Sequence, residues 1–205
     1  MQTEAQQRDN LARPAAASEL ERRYLAVLFA DITGFTRLVE SVDPETVYEV
    51  VRPLMDKLVR LVRAHGGEIQ QILGDGFMAV FGLQSVDGDE AARAVRAGLA
   101  LVSAAGPGDV HPPVHVGIEY GEVLVTPSWA PAGFGVWGRA VNLAKRLCDL
   151  AGPAEVHVGP VAFARAGQGV RCATPVRAQL KGISGAVLSH RICACEEESP
   201  LLVAA

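Results

Sequence analysis

The sequence has no excess of positive charge, no long uninterrupted apolar run and no paired Cys-x-x-Cys signature, and each absence removes a class of function. The formal net charge is -4, and the 19 Lys and Arg residues are scattered along the chain. A protein that grips nucleic acid clusters its cations on one face, so nucleic acid is not an expected partner. A small anionic ligand needs only a local pocket and stays open. Charged residues interrupt every apolar stretch well before the roughly 18 residues that a membrane span requires. Residues 1–18 are polar and Ala-rich, without the apolar core of a signal peptide or anchor. The chain therefore reads as cytoplasmic, with no membrane partner. Cys148, Cys172, Cys193 and Cys195 do not form two matched pairs, and a domain of this size needs no staples, so they read as free thiols. His111 and His115 lie close together across Pro112 and Pro113 without a third ligand nearby, which argues against zinc.

What is present is one domain's worth of chain. Of the 205 residues 49% are apolar, and the 21 Gly and 12 Pro are spread rather than concentrated. The expected organisation is a flexible N-terminal segment over 1–20, a folded domain over 21–193 and a flexible tail over 194–205. Residues 24–30 (YLAVLFA) form an apolar run that ends at Asp31-Ile-Thr-Gly34, the pattern of a buried strand with an acid at its tip. Asp43 and Pro44 open a helix as N-cap and first helical residue. Val47, Val50, Val51, Leu54, Leu58, Leu61 and Val62 then keep helical spacing up to Gly66-Gly67. Residues 68–73 and 77–81 are β-prone runs joined by Gly74-Asp75-Gly76, the chemistry of a tight hairpin. Asp89 opens a second helix through Val102. Residues 114–120 and 122–126 read as two strands, 127–135 as a Pro/Gly/Trp-containing excursion and 138–150 as a third helix. Residues 155–158, 177–180 and 187–193 read as further strands, with a short helix over 161–166. This order predicts an α+β fold, an antiparallel sheet flanked by helices.

Three groups of residues carry chemistry. Asp31 and Asp75 each stand at the end or turn of an expected strand, and oxygen ligands brought to one sheet edge suit Mg²⁺ or Mn²⁺. Acids at strand tips also serve as turn formers and caps, so this reading stays open. Ile32-Thr-Gly-Phe-Thr36 starts a helix with a glycine that lets backbone approach a ligand, so its N–H groups can hold a phosphate. Asn142 and Arg146 are an i, i+4 pair able to present an amide and a guanidinium to one anionic centre.

In order along residues 24–192, these segments resemble the class III adenylate and guanylate cyclases. Phe29-Ala-Asp-Ile-Thr-Gly-Phe-Thr36 is similar to the first metal motif of that family, and Leu73-Gly-Asp-Gly-Phe-Met-Ala-Val-Phe-Gly82 to the second. Val136-Trp-Gly-Arg-Ala-Val-Asn-Leu-Ala-Lys-Arg146 resembles the transition-state helix, and Leu180-Lys181-Gly182 the triphosphate-lysine motif. The resemblance implies a ferredoxin-like, palm-type sheet and a head-to-tail homodimer with two sites. Each site would convert a nucleoside triphosphate to a 3′,5′-cyclic nucleotide with two Mg²⁺ or Mn²⁺ ions. It implies that Asp31, Ile32 and Asp75 hold the metals and that Gly34, Phe35, Thr36 and Lys181 face the phosphates. Asn142 and Arg146 then act from the opposite protomer, with Lys181, and the product passes to a downstream cyclic-nucleotide effector. No residue stands out as a general base, and Asp31 and a water molecule both stay open.

The base-reading positions depart from the pattern. Where adenylate cyclases of this family usually carry Lys and Asp or Thr, this chain has Gln71 and Gly135. A Gln amide donates and accepts, so it adapts to several bases, and it lacks the carboxylate of the guanylate pattern. An unusual ATP pocket is one reading; a pyrimidine cyclase similar to those of bacterial antiphage systems is another. A catalytically silent nucleotide-binding regulatory module is a third. With no sensor, membrane or receiver domain visible, regulation is expected from a partner, the metal, substrate supply or infection. Trp129, Phe134 and Trp137 supply apolar rings for interface or core packing, or for the base.

Overall fold

The computed structural model describes residues 20–105, 111–127 and 134–195. Strand β1 (Glu21–Ile32) comes first, and its residues 25–30 are buried. A short helix α1 (Phe35–Ser41) follows Gly34, and α2 (Pro44–Ala64) begins where the Asp43 carboxylate accepts the Thr46 N–H at 3.0 Å. Val47, Val51, Leu54, Met55, Leu58 and Val62 give α2 a single buried stripe. The hairpin β2 (Gly67–Leu73) and β3 (Gly76–Phe81) leads to α3 (Glu90–Ala104) and the long strand β4 (Val114–Pro127). Then come β5 (Phe134–Trp137), α4 (Arg139–Leu150), β6 (Val156–Val158) and α5 (Pro160–Ala166). β7 (Val170–Cys172), β8 (Val176–Gln179) and β9 (Ala186–Cys195) complete the described chain.

The strands form one sheet in the order β2-β3-β1-β4-β6-β9-β7, with β5 paired to β4 and β8 to β9. This is the expected α+β arrangement, antiparallel except that β4 and β6 run parallel. The parallel pair follows from connectivity: α4 carries the chain from one end of the sheet to the other, the crossover that parallel neighbours need. Residues 114–120 and 122–126, expected as two strands, are one. β4 pairs with β1 without a break through Leu25↔Gly121, and Gly121 lies under the Ala140 methyl rather than in a turn. Ala194 and Cys195, expected in the flexible tail, extend β9 because they pair with Arg171 and Val170 of β7. The rest of the expected tail, residues 1–19, Trp129 and most of the 127–135 excursion lie outside the described residues.

Two apolar layers sandwich the sheet. Ala26, Leu28, Ala30 and Ile32 of β1 face α2 and α3, whereas Leu25, Val27 and Phe29 face α4 and β5. Strand alternation therefore puts Asp31 on the α4 side. α4 approaches β4 so closely at Gly117 that an added Cβ would lie 2.0 Å from the Cys148 amide nitrogen and 2.3 Å from the Ala144 carbonyl oxygen. Burial at this contact pushes the Cys148 thiol up to about 12. On its other flank α4 packs Leu143 and Leu147 against Leu180 and Val187 of the β8–β9 hairpin. The buried Glu119 of β4 accepts the Ala162 N–H at 2.8 Å, meeting a donor at the start of α5. No described helix is long and apolar enough to cross a membrane.

Candidate active site

The β1–β3 pairing places Asp31 opposite Gly76. A side chain at Gly76 would meet the Ala30 carbonyl oxygen at 2.6 Å and Asp31 Oδ1 at 3.0 Å, so the Asp31 carboxylate occupies the space that glycine leaves. Gly74 and Asp75 form the two-residue turn between paired Leu73 and Gly76, and Gly74 takes the left-handed φ of 63°. The Ile32 N–H donates to the Asp75 carbonyl at 3.2 Å and lies 3.1 Å from Asp31 Oδ1, which stitches the two acidic segments together. Burial first, and then the neighbouring Asp31 charge, raises the Asp75 carboxyl to about 6.

The loop beyond Ile32 is fixed by a bond from the Thr33 N–H to the Pro113 carbonyl at 2.8 Å and by Thr33 Oγ1 to His115 Nδ1 at 3.0 Å. Burial pushes the His115 imidazole down, against the pull of Asp31. Gly34 then adopts φ 76° at the start of α1, and space around its missing Cβ is open. Phe35 and Thr36 stand in the first turn, where backbone N–H groups have no intrahelical acceptor. Asp31, Ile32, Gly34, Phe35, Thr36 and Asp75 thus share one edge of the sheet.

Asn142 and Arg146 lie on the outward face of α4, opposite its buried residues Ala140, Leu143, Ala144, Leu147 and Cys148. Within the chain Arg146 does not reach the two acids. Its Nη1 bonds Asp149 Oδ2 at 2.8 Å; burial raises the Asp149 carboxyl, but the bonds from Lys145 and then Arg146 together outweigh it and hold the group below its usual range. Lys145 reaches Asp31 instead, with Nζ 3.4 Å from Oδ2. Lys181 follows β8 in an exposed turn whose Leu180 packs on α4, so it stands beside the Asn142–Arg146 helix rather than beside the acids.

The base-reading candidates are neighbours. The β2–β3 register shifts between Ile69 and Gln71, leaving Gln70 as the extra residue of a bulge and Gln71 exposed opposite Met78. Gln70 Nε2 donates to the Phe134 carbonyl at 2.8 Å, which joins β2 to β5 next to Gly135. A Cβ at Gly135 would lie 2.6 Å from Thr126 Oγ1 and 2.9 Å from Trp137 Nε1. A side chain here would have to displace the Thr126 hydroxyl and the Trp137 indole, which favours glycine at this position. Gln70, His115, Lys145 and Asp149 were not anticipated from sequence; of these only Lys145 and Asp149, an i, i+4 pair beside Arg146, carry a sequence signal.

Two carboxylates and nearby backbone oxygens form a hard-oxygen donor set suited to Mg²⁺ or Mn²⁺, and the Asp31–Asp75 repulsion is what a divalent cation relieves. Among the described residues no group of three or more His, Cys, Asp or Glu side chains converges as a ready-made metal cluster.

Residues 20–192 match the adenylate and guanylate cyclase catalytic domain family. The chain belongs to that family. An adenylate cyclase from Streptomyces coelicolor is 34% identical to this cyclase domain over 146 residues, covering 71% of the chain and 35% of the relative. An adenylate cyclase from Streptomyces griseus is 30% identical over 147 residues, covering 72% and 33%. The domain thus spans about a third of the length of these relatives. Among solved structures, the guanylyl cyclase Cya2 superposes with a TM-score of 0.80 at 28% identity, covering 88% of this chain and 96% of its own. The adenylyl cyclase CyaB from P. aeruginosa gives 0.79 at 25% identity, covering 88% and 99%. The cyclase domain accordingly has the class III architecture, with its β1–α1 loop, β2–β3 turn and α4 arranged as described above.

Proposed function

We propose that this domain is a nucleotidyl cyclase that turns a nucleoside triphosphate into a 3′,5′-cyclic nucleotide and pyrophosphate at the interface of a homodimer. The observation that carries the reading is the Asp31–Asp75 pair, where burial first and then the charge of Asp31 push Asp75 up to about 6. Relatives named as adenylate and guanylyl cyclases support it.

In the reaction the ribose 3′-oxygen attacks the α-phosphorus in line. The bond from that phosphorus to the bridging oxygen of pyrophosphate breaks, and the hydroxyl proton leaves to water or to Asp31. Asp31, Asp75 and the Ile32 backbone would hold two Mg²⁺ or Mn²⁺ ions, which would supply Lewis-acid activation of the hydroxyl and charge neutralisation of the leaving group. The first-turn amides after Gly34, at Phe35 and Thr36, hold phosphate oxygens. Asn142 orients the ribose and Arg146 neutralises charge on the α-phosphate, both from the partner protomer, with Lys181 on the triphosphate. Arg146 lies on the outward face of α4, tied to Asp149 rather than to the two acids of its own chain, and this supports a site shared with a partner.

Gln71 reads the base edge, and Gly135 adds no side chain to that pocket. A second reading, a nucleotide-binding module without turnover, is favoured by one contact, the Lys145 ammonium seated on Asp31. The deciding experiment incubates purified protein with Mn²⁺ and equal concentrations of ATP, GTP, CTP and UTP, and identifies cyclic products by mass. A cyclic product that disappears in Asp31→Ala supports the cyclase reading. Tight triphosphate binding with no product from any of the four supports the silent module and refutes turnover.

A further inference from the structure

Asp31 offers its two oxygens to different partners. Oδ1 lies 3.1 Å from the Ile32 N–H, inside its own strand end. Oδ2 faces Lys145, whose Nζ sits 3.4 Å from it. Lys145 also bonds Asp149 Oδ1 at 2.8 Å, while Asp149 Oδ2 accepts Arg146 at 2.8 Å. The four side chains alternate in sign, Asp31, Lys145, Asp149, Arg146, and run from the acid edge to the outer face of α4.

We propose that Lys145 is a built-in counter-cation that competes with the divalent ion for Asp31, which rests on the reading of Asp31 and Asp75 as metal ligands. An ammonium is a compact point charge on a flexible stem, so it can leave Asp31 without disturbing the backbone. Leaving does not strand it, because Asp149 holds it at the shorter distance. Metal uptake then needs displacement of one ion pair and lowers the apparent affinity. The displaced ammonium keeps its bond to Asp149, the residue that also holds Arg146.

The test is Mn²⁺ binding by isothermal titration calorimetry on the full chain without nucleotide, with Asp31→Asn as the control for site identity. An exposed ion pair is worth up to about 1 kcal/mol, so Lys145→Met and Lys145→Gln are expected to bind Mn²⁺ about fivefold more tightly than the unmodified protein. Arg139→Met removes a cation from the same helix six residues away, about 9 Å along its axis, and is expected to change binding less than about twofold. If the unmodified protein binds Mn²⁺ through Asp31 and both Lys145 variants bind no tighter, the competition is overturned while the metal site stands. Equal tightening by Arg139→Met and Lys145→Met overturns it as well, since the effect is then a general field. Absence of Asp31-dependent Mn²⁺ binding in every variant overturns both the competition and the metal-site reading beneath it.

Discussion

Replacing Asp75 by Asn is expected to stabilise the metal-free protein, an unusual outcome for a residue proposed to hold metal. Asp75 is raised from 3.8 to about 6 by burial and by Asp31, so the fold favours its protonated form. Below pH 3.8 that group is protonated folded and unfolded alike, and its contribution is fully present. As pH rises the unfolded chain ionises first, and the contribution is lost until the folded carboxyl titrates near 6. In a sealed site this gap would be worth about 3 kcal/mol. Asp75 sits at an edge in contact with water, and screening brings the expectation down to about 1 kcal/mol. For a chain of this length that corresponds to a rise of about 2–4 °C in Tm. Thermal melts of both proteins in EDTA at pH 8 should show Asp75→Asn melting higher, and at about pH 3, below the unfolded value, the difference should vanish. Adding Mn²⁺ at pH 8 should reverse the order, since only the unmodified protein keeps both carboxylates for the ion. An Asp75→Asn protein that melts at or below the unmodified one in EDTA at pH 8 refutes the reasoning.

Gly117→Ala forces a methyl into the α4–β4 contact and is expected to destabilise by about 1–3 kcal/mol, read as a lowered urea midpoint, with turnover falling as well. Arg146→Ala is expected to lose about 10²- to 10³-fold in kcat. Mixing it with Asp31→Ala should restore about a quarter of normal activity, because half of the dimers are mixed and one of their two sites is intact; no recovery after subunit exchange argues against sites shared between protomers. Gly135→Asp collides with Thr126 and Trp137. It should lower Tm without creating ATP selectivity, and adding Thr126→Ala should recover part of the loss; selectivity for ATP from Gly135→Asp alone would contradict the packing explanation.

Much of this could be read from residue pattern, because the deciding signals are local. The α2 stripe and its Asp43–Pro44 start are written in helical spacing, and the Gly74–Asp75 turn in hairpin chemistry. Asp31 and Asp75 could be foreseen as neighbours since one ends a strand and the other sits in a strand-joining turn. What escaped depends on distant partners. β7 has three residues, too few for a period, and exists because β9 offers it an edge. The Gly121 that looked like a turn is flattened into β4 by pairing with β1 and by Ala140 above it. The Gln70 bulge has no sequence mark, yet it decides which of two adjacent glutamines turns toward β5. Gly135 was readable as a lost base contact, whereas the crowding by Thr126 and Trp137 that explains it appears only in three dimensions.

The contact at Gly117 acts as a mechanical datum for the whole molecule. With no slack between the Cys148 backbone and the strand beneath it, the height of that helix above the sheet is set at one point, as a dowel sets two machined plates. Every group the helix carries is measured from that dowel, whether it looks inward to its own acids or outward from the fold. Tuning one of those reaches by shifting the helix would mistune the other, so adjustment is left to changes at the tips of individual side chains.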